Sequence, residues 1–206
     1  MFIDARNCES AWRDIYRLAI TFIQPRPIAL VSSLSPDGVA NLAPFSFYNM
    51  VSANPPVVMF APQNRRDGSS KDSLRNAEAT GQFVIATVTE AIAERMNRCS
   101  YDYPFGVDEF TKSGLSPRPA TFVKPALVAE SPVNLECTLE EVKRFGQGPG
   151  AGNVVFGRVV AVHIDDNVLA EDGLVDPAKL RAIGRMGRST YTGTVPNFEL
   201  PRPDKG

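Results

Sequence analysis

Proline and glycine cut this chain into short apolar runs, and that punctuation decides what it can fold into. "PIALVSSL" (Pro27 to Leu34) runs into "SPDG" (Ser35 to Gly38), a turn with proline preset for its second position and glycine at its end. "VANLAPFSFYNMVS" then returns, so the first unit reads as a β-hairpin. "PVVMFA", "QFVIATVT", "ALVAES", "VNLECTLEEVKRF" and "NVVFGRVVAVHID" read as further strands, the last two joined by the glycine-rich "GQGPGAG". Helices are few. "SSKDSLRNAEATG" offers serine caps and Gly81 as a stop, and "TEAIAERMNR" offers Thr89 as a cap with Ile92 and Met96 on one face. Residues 10–19 and 176–182 carry a fainter helical pattern. Six or seven strands with one or two helices between them, and no regular β-α alternation, predict a mainly β antiparallel barrel rather than a doubly wound sheet. With no internal repeat or long linker, residues 1–206 read as one domain with a short tail from about Pro196.

Charge and residue usage exclude several chemistries. A formal net charge of -1 leaves no basic excess to neutralise a nucleic-acid backbone. The start "MFIDARNCES" is too polar for a signal peptide, and no apolar run approaches the ~18 residues of a membrane span. Cys8, Cys99 and Cys137 are odd in number and lack C-x-x-C spacing, which fits free core thiols in a reducing cytoplasm. His163 is the single histidine, so a two-histidine metal motif is absent. A Ser-His-Asp triad would have to use it, and no G-x-S-x-G elbow accompanies it.

"GQGPGAG" (Gly146 to Gly152) superficially matches a dinucleotide fingerprint. A strand follows it rather than a helix, so the phosphate-holding helix N-terminus is missing and it reads as a flexible loop. "SSKDS" (Ser69 to Ser73) opens a helix, where amides, Lys71 and hydroxyls would suit a phosphate; a plain N-cap is the competing reading. Arg65 and Arg66 stand just upstream. "YDYPFGVDEF" (Tyr101 to Phe110) is an aromatic loop of the kind that covers an apolar core or a ligand. "NLAPFSFYN" (Asn41 to Asn49) is irregular for a core strand, because Pro44 removes a ladder hydrogen bond.

In order along nearly the whole chain, the segments Arg26 to Phe60, "KDSLRNAEATGQFVIATVT", "YPFGVDEFTKSGLSP", "KPALVAESPVNLEC", "FGRVVAVHID" and "GRMGRSTY" resemble the flavin reductase-like family. The resemblance implies an FMN-binding split β-barrel of antiparallel, Greek-key type. It implies a homodimeric oxidoreductase in which NADH or NADPH passes hydride to FMN, with a monooxygenase or another redox protein as a further partner. A non-enzymatic FMN electron carrier is the alternative. "NLAPFSFYN" would line the flavin, with Pro44 freeing backbone groups. Strand alternation would put Phe45 and Phe47 on one face, Ser46 and Tyr48 on the other. Carried over, Arg26 and Pro27 sit beside the ring, with Ser32 and Ser33 further along that strand. Ser46 and Asn49 would bond the ribityl or phosphate region. Lys71, Asp72 and Ser73 stand where the family has K-D-T, the phosphate-binding start of a helix. Tyr191 and His163 are the candidates for a side chain near the chemistry.

Overall fold

A computed structural model of the chain describes residues 2–6 and 8–203. Helix α1 (Cys8–Phe22) opens the chain, followed by β1 (Arg26–Pro27) and the hairpins β2 (Ala29–Leu34) with β3 (Ala40–Phe45) and β4 (Tyr48–Ala53) with β5 (Pro56–Phe60). Helix α2 (Asp72–Thr80) leads into β6 (Gln82–Thr87), and a 3-10 turn (Glu90–Ile92) leads into α3 (Ala93–Arg98). Next come α4 (Glu109–Ser113), β7 (Pro117–Arg118), β8 (Leu127–Val128) and the long pair β9 (Val133–Phe145) and β10 (Gly152–Ile164). A second 3-10 turn (Asp166–Val168), α5 (Pro177–Leu180), β11 (Ile183–Arg185) and β12 (Tyr191–Gly193) complete the order.

Seven strands form one antiparallel sheet in the order β3-β2-β6-β9-β10-β5-β4. The two edge strands are consecutive in the chain: β3 ends at Phe45 and β4 begins at Tyr48. A flat sheet of this width would hold its edges ~29 Å apart at ~4.8 Å per strand. Three residue steps reach only ~11 Å. The sheet therefore curls until its edges meet at Ser46 and Phe47, with no ladder between β3 and β4. That unpaired seam is the split of a split barrel.

The seam also explains Pro44. It faces Leu30 on the edge strand β3, whose other side has no ladder to lose. The expected alternation through this stretch does not hold, because the strand breaks at Ser46. Phe45 packs inside against Phe60, with ring centroids 5.2 Å apart, while Phe47 meets Tyr16 of α1 at 6.5 Å.

Two apolar clusters build the core. Ala29, Val31, Phe60, Phe83, Ile85 and Val155 fill the barrel, and Leu74 and Ala77 of α2 close over them. Leu30, Leu42, Val88, Met96, Phe110 and Leu115 belong to a second cluster in which α3 and α4 cover the other face of β2, β3 and β6. Gly157 of β10 has no room for a side chain, since a Cβ there would lie 2.2 Å from the Phe83 ring. Cys99 and Cys137 are free and buried, as expected of core thiols; the Cys8 side chain lies outside the described residues.

Several local expectations need correction. Five α-helices are present among the described residues: the two clear and the two fainter helical patterns all form, and α4 was not expected. The missed α4 starts inside the aromatic loop, where Asp108 accepts a hydrogen bond from the Phe110 amide at 2.9 Å. Serine does not cap α2: its first residue follows Lys71, no side chain bonds the open amides, and Ser69 donates its hydroxyl to Asp67. Gly81 ends that helix in the left-handed conformation, as expected. Thr89 makes no side-chain cap either. "ALVAES" contributes only the two residues of β8.

Candidate functional site

A cleft of about 530 Å³ opens at the seam. The Pro44–Phe47 stretch forms its floor, Tyr16 and Ile20 of α1 one wall, and the loop from Gln63 to Arg66 another. A smaller hollow of about 100 Å³ continues from it under Asn41, Ser73, Tyr103 and Glu109, sharing Pro44, Phe45, Arg65 and Lys71. The walls are thus flat and apolar in part, but the rim is basic. Arg26, Arg65, Arg66, Lys71, Arg185 and Arg188 line the main cleft against one acid, Asp102. On a chain with net charge -1, six cations at one cleft mark a site for an anionic ligand.

A small sheet places one side of this site. In β1-β11-β12, Arg26 pairs with Arg185 and Arg185 with Tyr191, so the three share one row across the strands. The Arg185 guanidinium lies 4.5 Å from the Tyr191 ring centroid and hydrogen-bonds its hydroxyl. Arg26 is 6 % exposed and makes four hydrogen bonds. It donates to the carbonyls of Ile20 at 2.8 Å, Ile23 at 2.5 Å and Met186 at 2.9 Å, and to Ser46 Oγ at 3.3 Å. Burial, with Arg185 nearby, lowers its pKa from the usual guanidinium value. Its role is to bolt the end of α1 and the Met186 loop to the seam, leaving little of its fork for a ligand.

The opposite end is the start of α2. The first amides of a helix have no intrahelical acceptor, and here no side chain takes them. Arg65 is fixed beside them by Asp72, at 3.0 and 3.4 Å, by the Ser70 carbonyl at 2.8 Å and by Asp102 at 3.2 Å. Burial works against its charge, but bonds to Asp72 and Asp102 outweigh it and raise its pKa. Lys71 Nζ reaches Asp102 at 2.7 Å, and this bond is the first cause of the lowered Asp102 pKa. Behind the helix start, Asn41 donates to Ser33 at 3.2 Å and to Ser73 at 2.9 Å, and Asn76 donates to Ser33 at 3.2 Å. This buried cluster fixes α2 against the first hairpin. Glu109 closes the small hollow and accepts from the Leu42 amide at 3.0 Å; burial raises its pKa in spite of that bond.

The structure brings together Arg26, Pro44, Phe45, Ser46, Phe47, Lys71 and Tyr191 in the main cleft, with Asp72 and Ser73 in the hollow beyond. It does not bring five others there. Pro27 lines a separate cleft with Tyr48 and Thr194. Ser32 and Ser33 are buried and line neither space, and Asn49 is exposed on β4, accepting from the Met50 amide at 2.8 Å. His163 lies in another cleft, lined by Arg118 and Ser131, with Nε2 2.6 Å from Glu136 Oε1. Sequence reasoning missed Tyr16 and Asp102. The i, i+4 apolar spacing of Trp12, Tyr16 and Ile20 was a signal for α1, and Asp102 sat unremarked among the tyrosines.

The residues present fit a flavin mononucleotide by the chemistry of the donor set: flat aromatic and proline walls for a ring, and an uncapped helix start with Lys71 for a phosphate. Among the described residues no group of three or more metal-ligating side chains occurs, and no helix is long and apolar enough to cross a membrane.

Comparison with known proteins agrees with this geometry. Residues 23–184 match the flavin reductase like domain. Nitrilotriacetate monooxygenase component B from Bacillus cereus superposes with a TM-score of 0.89 at 30% identity, covering 97% of this chain and 99% of that one. The 2-nitrobenzoate 2-nitroreductase NbaA of Pseudomonas fluorescens gives 0.86 at 29% identity, with 99% and 97% covered. A protein with a split barrel domain from Shewanella frigidimarina shares the fold at 0.82 and 22% identity, with 98% and 100% covered. The antiparallel split barrel is thus matched in sequence and in shape, and the chain belongs to the flavin reductase-like family, a family of flavin oxidoreductases.

Proposed function

We propose that the protein is an NAD(P)H-dependent flavin reductase that holds FMN in the seam cleft, with residues 1–206 acting as one domain. The observation that carries this reading is the pairing of a flat-walled cleft with an α2 start that no side chain caps, whose N-cap residue Lys71 lines that cleft. FMN, when bound, supplies a ring that takes a hydride from a nicotinamide nucleotide and passes the electrons on. The chain's own contribution is orientation. Lys71 and the α2 amides hold the phosphate, Ser46 meets the ribityl chain, and Phe47 and Tyr16 wall the ring. Arg26 keeps those walls in register by tying α1 to the seam. No side chain needs to titrate for hydride transfer, which depends on approach and alignment. Its match to a monooxygenase component supports an oxygenase or another redox protein as recipient of the reduced flavin.

Anaerobic mixing of the FMN-loaded protein with NADH or NADPH tests this reading. Bleaching of the visible flavin band by at least one nucleotide is expected. A band that neither bleaches would make the protein a carrier that takes electrons from a protein donor.

The reading includes a homodimer. Val160, Val162 and Ile164 occupy alternate positions of β10 and are 39%, 54% and 41% exposed, an apolar stripe that a solvated strand face does not ordinarily carry. Met50 and Val51 on β4 add further exposed apolar surface. Sedimentation equilibrium is expected to give twice the 22.4 kDa chain mass, and Val162→Glu to shift it to one. A monomeric wild-type protein would contradict the dimer.

A further inference from the structure

The main cleft opens sideways into a second hollow of about 550 Å³, and Tyr16, Gln63, Asn64 and Arg66 line both. The far side of this annex is built from Trp12, Arg13 and Arg17 of α1 and from Pro149 and Gly150 of the β9–β10 loop. That loop is "GQGPGAG", expected to be flexible, and the structure shows it pinned. Asn64 Nδ2 donates to the Gln147 carbonyl at 3.0 Å, the Gly150 amide donates to the Asn64 carbonyl at 3.2 Å, and Asn153 Nδ2 donates to Asn64 Oδ1 at 2.9 Å. Gly150 lies against the indole: a Cβ there would be 2.8 Å from two Trp12 ring carbons, and its φ of +77° also favours glycine.

The annex therefore has an ordered aromatic wall beside a basic one. Trp12 and Tyr16 stand four residues apart on α1, as do Arg13 and Arg17, so an aromatic stripe and a cationic stripe run side by side. The Arg13 guanidinium lies 4.8 Å from the Trp12 ring centroid, and Arg66 faces the pair from the shared wall. Among the described residues no carboxylate lines this hollow. Arginine forks match phosphate oxygens two at a time, and an aromatic face stacks a flat base.

We propose that the annex seats the adenosine end of the nicotinamide nucleotide, and that Arg13 and Arg17 with Arg66 make the protein prefer NADPH to NADH. The inference rests on the reductase reading above, which requires a second ligand to reach the ring from a neighbouring space. The 2′-phosphate is the group that distinguishes the two nucleotides, and it adds negative charge in a hollow lined by three arginines.

Trp12 is the chain's single tryptophan, so occupancy of the annex can be read without turnover. The FMN-loaded protein is titrated with NADP⁺ and with NAD⁺ while Trp12 fluorescence is followed. NADP⁺ is expected to quench with a Kd at least about tenfold below that of NAD⁺. The Arg13→Gln, Arg17→Gln double variant changes two exposed helix positions and should bring that ratio below about threefold, leaving NAD⁺ within about twofold of wild type. Equal affinities, or a preference that the double variant retains, would overturn the proposal. Parallel mixing with NADPH separates the two readings. A fluorescence preference without flavin bleaching supports the annex and contradicts the reductase, whereas bleaching without a preference does the reverse.

Discussion

Replacing Glu136 with alanine is expected to lower folding stability by about 3–5 kcal/mol, measured by urea unfolding. Glu136 lies on β9, is 0% exposed, and accepts four hydrogen bonds. These come from the amides of Thr121 at 2.7 Å, Phe122 at 2.6 Å and Val123 at 3.0 Å, and from His163 Nε2 at 2.6 Å. Truncation strands three amides of an otherwise irregular loop. Burial alone would raise the carboxyl pKa, but the Thr121 amide, His163 and the other two amides outweigh it and lower the value to about 2. A carboxyl lowered by folding stabilises the native state fully above its unfolded value near 4.5, and that contribution is lost as pH falls through about 2. Wild type should therefore lose about 3 kcal/mol across this window, and Glu136→Gln should lose much less. Flavin binding at neutral pH should survive in Glu136→Gln, since neither Glu136 nor His163 lines the seam cleft.

The second large effect is at Arg26, and it joins stability to the site. Arg26→Ala leaves the Ile20 and Ile23 carbonyls at the end of α1 without their donor and releases the Met186 loop. Bonds from a charged donor contribute about 1.5–3 kcal/mol each, so a loss of at least about 3 kcal/mol is expected. FMN affinity should fall with it, because Phe47 and Tyr16 lose their common support. Arg26→Lys keeps the charge but not the planar fork, and should recover only part of either loss. An alanine variant of unchanged stability would show that α1 is held by other contacts.

The parts of this molecule that were legible in the sequence are those written locally. "SPDG" announced the first hairpin, and the Gly38 amide closes that turn on the Ser35 carbonyl at 2.9 Å. Gly81 announced the end of α2. The "KDS" position was also legible, because a helix start is a local event. What escaped were features fixed by distant pairing. "NLAPFSFYN" looks like one strand, since nothing in its residues says that β3 and β4 will sit at opposite edges of a curled sheet. Ser32 and Ser33 looked like ligand donors, but a hydroxyl on a central-sheet strand is buried by whatever covers it: Ser33 answers Asn41 and Asn76 instead. His163 looked available for chemistry until Glu136, 27 residues away, turned out to be its partner. Arg65 was legible only as a charge just upstream of the helix start; its clamping by Asp72 and Asp102 depends on the folded loop.

The most direct test of the account is the affinity of the protein for FMN compared with riboflavin, measured by equilibrium titration on wild type and Lys71→Ala. The two ligands differ only in the phosphate assigned to the α2 start. FMN should bind at least about tenfold more tightly than riboflavin, and Lys71→Ala should remove much of that difference while leaving riboflavin unchanged. Equal affinity of wild type for the two ligands would contradict the placement of the flavin phosphate at α2, and with it the assignment of the seam cleft.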